Sequence, residues 1–210
     1  MDLSNIRFGV GSHDVTTVPT GDRDLCIMEA VAYMAGEPWS DSPACASPVI
    51  SAFLRSWNDG LSDDDRDRLL PAAVWVPRLV GSRGDDATEE RRAYLALDWL
   101  IRVQTPAWFD LLPSLAMHAA ALRALPGVVD RASAAASQDV VAAARDAAGD
   151  AARYAAWDAA GYAAGAAARA AAGDAAWAAA RDAAGDAIKP TVEAVQASAV
   201  DLLRRMCAAK

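Results

Sequence analysis

Residues 143–187 read AARDAAGDAARYAAWDAAGYAAGAAARAAAGDAAWAAARDAAGDA, a four-residue period in which Ala-Ala alternates with a variable pair. The pairs run from Arg145-Asp146 through Trp157-Asp158 and Gly161-Tyr162 to Gly185-Asp186. Alanine has the highest helix propensity of any residue. The 27 alanines between positions 142 and 188 outweigh the five glycines there, each of which costs about 1 kcal/mol in a helix. The tract is read as helix, and this sets the fold class.

The period also says what kind of helix it is. Four residues advance about 400°, so each unit drifts about 40° around a 3.6-residue helix. Trp157 and Trp177 therefore point about 160° apart, and a straight helix keeps neither a constant wet face nor a constant dry one. Methyl groups on every side permit close approach of neighbours but bury little area. Two shapes fit: one rod of about 68 Å, or a hairpin folding back near Gly161–Gly165. Pro190-Thr191 is expected to restart the chain. Beyond it, Val192, Val195, Ala199, Leu202 and Met206 form a seam that requires a partner surface. Return of that seam to the N-terminal part requires the hairpin, which is the favoured shape. A simpler account is that a twelve-nucleotide repeat expanded by slippage, leaving a tolerated spacer.

Upstream, residues 1–126 read as a helical body. A first helix is expected over Asp24–Ala35, ended by Gly36-Glu37-Pro38. Pro48 opens a second through Ile50, Phe53, Leu54 and Trp57, stopped at Asn58-Asp59-Gly60. Ser62 followed by Asp63-Asp64-Asp65 is a cap with carboxylates in the positive first turn. After the Gly81–Gly84 loop, Asp86 or Thr88 caps a helix over 88–104, which Pro106 breaks. Leu111, Leu115, His118, Leu122 and Leu125 follow as a seam. No alternating strand pattern appears, so the expected fold is all-α, in three segments: 1–126, 127–188 and 189–210.

Composition narrows function. The chain has 210 residues, a net charge of −8 and 54% hydrophobic residues, with alanine at 53 positions. Residues 1–126 carry 18 acidic and 11 basic side chains, which disfavours nucleic-acid binding because that needs a basic stripe. No apolar run is long enough for a membrane span. The N-terminal residues lack the pattern of a secretory signal, and three scattered cysteines make no disulfide framework. A cytoplasmic location is expected.

Each candidate for chemistry has a plainer reading beside it. Cys26 lies at a helix start, where the dipole lowers a thiol's pKa. With His13 or His118 and an acid such as Asp98 it could form a cysteine–histidine site, yet it lies in the apolar stretch Leu25-Cys26-Ile27-Met28. Cys26, Cys45 and His13 lack metal-ligand spacing, and Asp63–Asp65 lacks the glycine and terminal glutamate of an EF-hand, so no metal and no cofactor is expected. Asp98 and Arg102 read as an exposed ion pair. The segment Gly36-Glu-Pro-Trp-Ser-Asp-Ser-Pro43 is the best recognition candidate, with Glu37, Trp39 and Asp41 in the loop and Arg55 and Trp57 nearby in sequence.

The block LCIMEAVAYMAGEPWSDSPACASPVISAFLRSWND, followed by VPRLVGSRG, RRAYLALDWLIR and an alanine-rich tail, resembles uncharacterised proteins of high-GC bacteria and their phages. The likeness covers most of residues 24–125. It implies a defined domain with a phage or accessory role, and it carries over no site residues. The expected function is that of a non-enzymatic helical interaction or structural protein that binds a protein partner or itself, with no nucleic acid and no membrane. The alternatives are an acidic nucleic-acid mimic that inhibits a host protein, and an enzyme using Cys26.

Overall fold

The computed structural model describes the backbone of residues 2–14, 20–166 and 174–210, with side chains for all of these except 154–184. Among the described residues every regular element is helical, and the one extended pairing is a parallel bridge between Arg7 and Asp22. The all-α reading holds. Contacts divide the chain into two units, 1–95 with 200–210, and 96–199. These bounds fall elsewhere than the sequence divisions at 126 and 188.

In the first unit, α1 (Ile27–Ala35) begins three residues later than the periodicity predicts. The reason is Asp24, whose carboxylate accepts the Thr20 N–H (2.6 Å) and the Gly21 N–H (2.9 Å) and so closes the preceding turn. Cys26 is the N-cap, and Gly36 ends the helix in the left-handed conformation at φ 69°, which glycine adopts without a Cβ clash. α2 (Pro48–Gly60) starts with Pro48 in its first turn, capped by the Ser47 hydroxyl. α3 (Asp63–Leu69) is capped by Ser62 as expected. α4 (Ala72–Leu79) contains Pro77, and α5 (Asp86–Trp99) follows. The cap of α5 is neither Asp86 nor Thr88 but Asp85, whose carboxylate accepts the Thr88 N–H at 2.8 Å.

α1 packs on α2 and α4. Leu25, Ile27, Met28, Val31, Ile50, Leu54, Trp75, Val76 and Leu79 fill the core, each contributing about 1.5–3 kcal/mol by burial. Leu202, Leu203 and Met206 are fully buried in the same unit. Leu202 and Met206 of the predicted C-terminal seam thus belong with the N-terminal part of the chain, whereas Val192, Val195 and Ala199 fall in the second unit. Buried Arg92 secures the C-terminal end, donating through Nε to the Met206 carbonyl (2.9 Å) and through Nη2 to the Ala209 carbonyl (3.1 Å). These are carbonyls near the end of α10 (Asp174–Ala208), which lack helical partners of their own.

In the second unit α5 passes into a π-helical turn, Leu100–Gln104, and then α6 (Thr105–Phe109). Pro106 does not break the helix as expected. It lies in the first turn of α6, and the wide turn just before it accommodates the ring and the missing N–H within a continuous helical run. A 3-10 turn, Pro113–Leu115, precedes α7 (Ala116–Ala124), followed by α8 (Arg131–Ala136) and α9 (Gln138–Ala166). α7 packs against α6 and α9 around Leu115, Ala119 and Leu122. The seam expected over 110–125 is shorter than predicted: Leu111 is exposed and His118 only half-buried. The helix begins at Ala116, so Leu111 lies outside its phase.

The alanine tract is helix where described. α9 runs through Gly161–Gly165, so the fold-back expected there is not a turn. Residues 167–173 and the side chains of Trp157 and Trp177 lie outside the described set. Pro190 does not restart the chain either; α10 continues through it. One lost hydrogen bond is tolerated because helix propensity is high on its N-terminal side.

Candidate functional site

The residues of the first unit that bear chemistry converge on the loop Phe8–His13. Its backbone is held at successive positions: the Gly9 N–H donates to the Leu25 carbonyl (2.8 Å) and Asn58 Nδ2 donates to the Gly9 carbonyl (2.8 Å). The Gly11 N–H donates to Asp59 Oδ1 (2.8 Å) and the His13 N–H to Glu29 Oε1 (2.6 Å). Only glycine fits at position 9, where a Cβ would lie 2.4 Å from the Arg23 carbonyl oxygen and 2.8 Å from His13 Nε2. Beneath the loop, buried Arg66 donates to the carbonyls of Phe8, Asn58 and Leu61 and to Asp63. Its charge is paired and each of its three nitrogens donates, which a buried guanidinium requires.

Glu29, at the third position of α1, is the hub. It is buried, and its carboxylate takes three donors: the His13 N–H, His13 Nδ1 at 2.9 Å and the Cys26 N–H at 2.7 Å. An ionised carboxylate only accepts, so Nδ1 is the donor in this contact. Two members of an acid–imidazole–nucleophile arrangement are therefore in place. Cys26, whose N–H donates to the same carboxylate, carries a buried thiol. Burial pushes that thiol up to about 12, outweighing the pull of the Glu29 and Met28 amides. The helix-start argument, which predicts a lowered pKa, is thereby corrected: desolvation exceeds the dipole when the sulfur is sealed in the core.

Trp39 joins the same cluster, with its indole Nε1 donating to the His13 carbonyl at 2.6 Å and its ring half-buried. The rest of the predicted recognition set makes contacts of its own. Glu37 accepts the Ala44 N–H (2.6 Å) and closes its own loop. Asp41 meets Arg55 at 3.5 Å through both its carboxylate and its carbonyl, linking the loop to α2. Trp57 lies against Phe53, centroids 5.6 Å apart and planes tilted by 42°. So Trp39 with His13, and Asp41 with Arg55, are brought together, while Trp57 belongs to a ring pair further along α2.

Sequence reasoning placed His13 as a loose candidate and missed Glu29. The signal was a carboxylate inside the apolar run Leu25–Val31, since a buried charge must have a dedicated partner. Other candidates resolve into structure. Asp98 is not an exposed pair member: it is half-buried and takes both Arg102 Nη1 (3.1 Å) and the Val128 N–H (2.8 Å). Asp63 and Asp67 pair with Arg23, and Asp110 with Arg123. Among the described residues no group of three or more His, Cys, Asp or Glu is placed to hold a metal ion, and no helix is long and apolar enough to cross a membrane.

Compared with known protein families, curated proteins and solved structures, the chain matches none of them.

Proposed function

We propose that this chain is a non-enzymatic helical interaction protein whose recognition surface is the Gly36–Pro43 loop together with the outward side of α2. The observation that carries the reading is the fixed, half-exposed ring of Trp39, tied through Nε1 to the His13 carbonyl, which is itself part of the segment clamped by Glu29. A half-buried tryptophan held on one side of the loop, and an arginine of α2 that meets the same loop through Asp41, have the composition of an interaction hot spot, and a ring held before a partner arrives avoids part of the ordering cost of binding. Arg55 is engaged at 3.5 Å by a partly exposed Asp41, a weak contact that a partner carboxylate can replace. The partner this chemistry suits is a protein presenting an apolar pocket with an acidic rim, in keeping with a phage or bacterial accessory role.

The test is a photo-crosslinking amino acid at Ser40, used in cells that express the chain. A discrete adduct that disappears with Trp39→Ala and with Arg55→Glu, while folding is retained by circular dichroism, supports the reading. Absence of any adduct, or an adduct indifferent to both substitutions, overturns it.

A further inference from the structure

The second unit contains a groove of about 670 Å³ between the end of α5 with its π-helical turn and the α8–α9 corner. Leu97, Ile101 and Val141 give it an apolar floor, and Arg131 and Arg145 line it as well. Its α8–α9 side includes Ala134, Ala135 and Ala142, whose methyl groups leave space that larger side chains would close. The volume lies in the range of small-molecule sites. Ile101 belongs to the π-helical turn, an irregularity that recurs at functional sites and that here shapes the floor.

The charge on the lining is the telling feature. In a chain with 28 acidic and 20 basic residues, the groove is lined, among the described residues, by two arginines and no carboxylate. Arg145 contacts its exposed neighbour Asp146 at 3.1 Å, a surface pair that contributes little and leaves the guanidinium free to exchange partners. Arginine binds a carboxylate through two parallel N–H donors, and an apolar body attached to that carboxylate would cover the floor.

We infer that this groove is a binding site for a small organic carboxylate with an apolar body. The inference is independent of the recognition surface on the first unit, since no residue is shared.

The experiment is calorimetric titration of the full-length protein with decanoate, decyltrimethylammonium and 1-decanol, all below their aggregation limits. Decanoate is expected to bind saturably at one site, at least tenfold more tightly than the cationic chain. Arg131→Glu with Arg145→Glu weakens decanoate at least tenfold, whereas the charge-matched pair Arg78→Glu with Arg83→Glu, in the other unit, leaves it unchanged. Ala142→Trp fills the groove and abolishes binding. Circular dichroism verifies each variant, and glutamine at both arginine positions replaces glutamate if the charge reversal fails to fold. The proposal is overturned if decanoate gives no saturable binding, if decyltrimethylammonium binds equally well, or if the groove variants bind like the wild type.

Discussion

Arg92 and Met206 lie 114 positions apart, yet the guanidinium Nε of the first donates to the carbonyl of the second at 2.9 Å in a buried setting. The same guanidinium pairs with Glu89 at 2.7 Å and reaches the Ser82 carbonyl. One side chain therefore holds the α5 start, the preceding loop and the C-terminal turn of α10. Arg92→Met is expected to leave those carbonyls and Glu89 without their donor and to lower stability by about 3–5 kcal/mol, as breaking a buried pair does. Urea unfolding of the two proteins measures this; a loss under about 1 kcal/mol would mean that hydrophobic burial of Leu202, Leu203 and Met206 alone fixes the C-terminus.

Glu89 gives the fold a pH dependence with a defined sign. Burial pushes its carboxyl upward, but the Ser47 hydroxyl, the Gly84 N–H and Arg92 together hold it below the ordinary glutamate range. A carboxyl lowered in the folded state stabilises above its unfolded pKa of about 4.3, and that contribution fades as pH falls through the folded value. Glu89→Gln should therefore be less stable than wild type at pH 7, with the gap narrowing as pH drops from 5 towards 3. Unfolding curves across that interval decide it, and a gap that stays constant with pH contradicts the assignment.

Glu29→Ala is expected to release the Phe8–His13 loop. Three donors lose their acceptor, each at a cost of about 1–3 kcal/mol where water cannot replace it. Hydrogen exchange should accelerate at the His13 and Cys26 amides well before any change in the amides of α3. If protection at those two positions is unchanged, the carboxylate is not what orders the loop.

The cysteines should separate by reactivity. Cys26 is buried with its thiol pushed up to about 12, whereas Cys45 is only half-buried. At pH 7.5 iodoacetamide should modify Cys45 while Cys26 reacts only as fast as the protein unfolds, because the thiolate is the nucleophile. Peptide mapping over time reads both sites. Rapid native labelling of Cys26 would show an accessible thiolate and contradict its burial as the controlling influence.

Trp39→Phe keeps an aromatic ring but loses the bond to the His13 carbonyl, so a destabilisation of about 1 kcal/mol is expected. A larger loss, near that of a core truncation, would place the ring in the core and weaken the recognition reading. Thermal unfolding of the variant provides the number.

Much of the architecture was legible because it is local. Ser62 caps α3, Pro48 opens α2 and Gly36 ends α1 through contacts within a few residues, and the described parts of the alanine tract are helical by propensity. Local signals misled where two competed: Asp24 reads as helix but closes a turn, and Pro106 and Pro190 read as breaks but are absorbed by a wide turn and a strong helix.

The sequence by itself determined the helical class, the helix ends at Gly36, Pro48, Gly60 and Ser62, and the need of the C-terminal seam for a partner, since propensity, capping and periodicity are properties of neighbouring residues. Only the tertiary structure decided that Leu202, Leu203 and Met206 join the first unit under the hold of Arg92, that Glu29 meets His13, and that Cys26 is sealed rather than activated. Each of these depends on which distant groups share one desolvated space, and burial there sets both the partner a charge must find and the proton a thiol keeps.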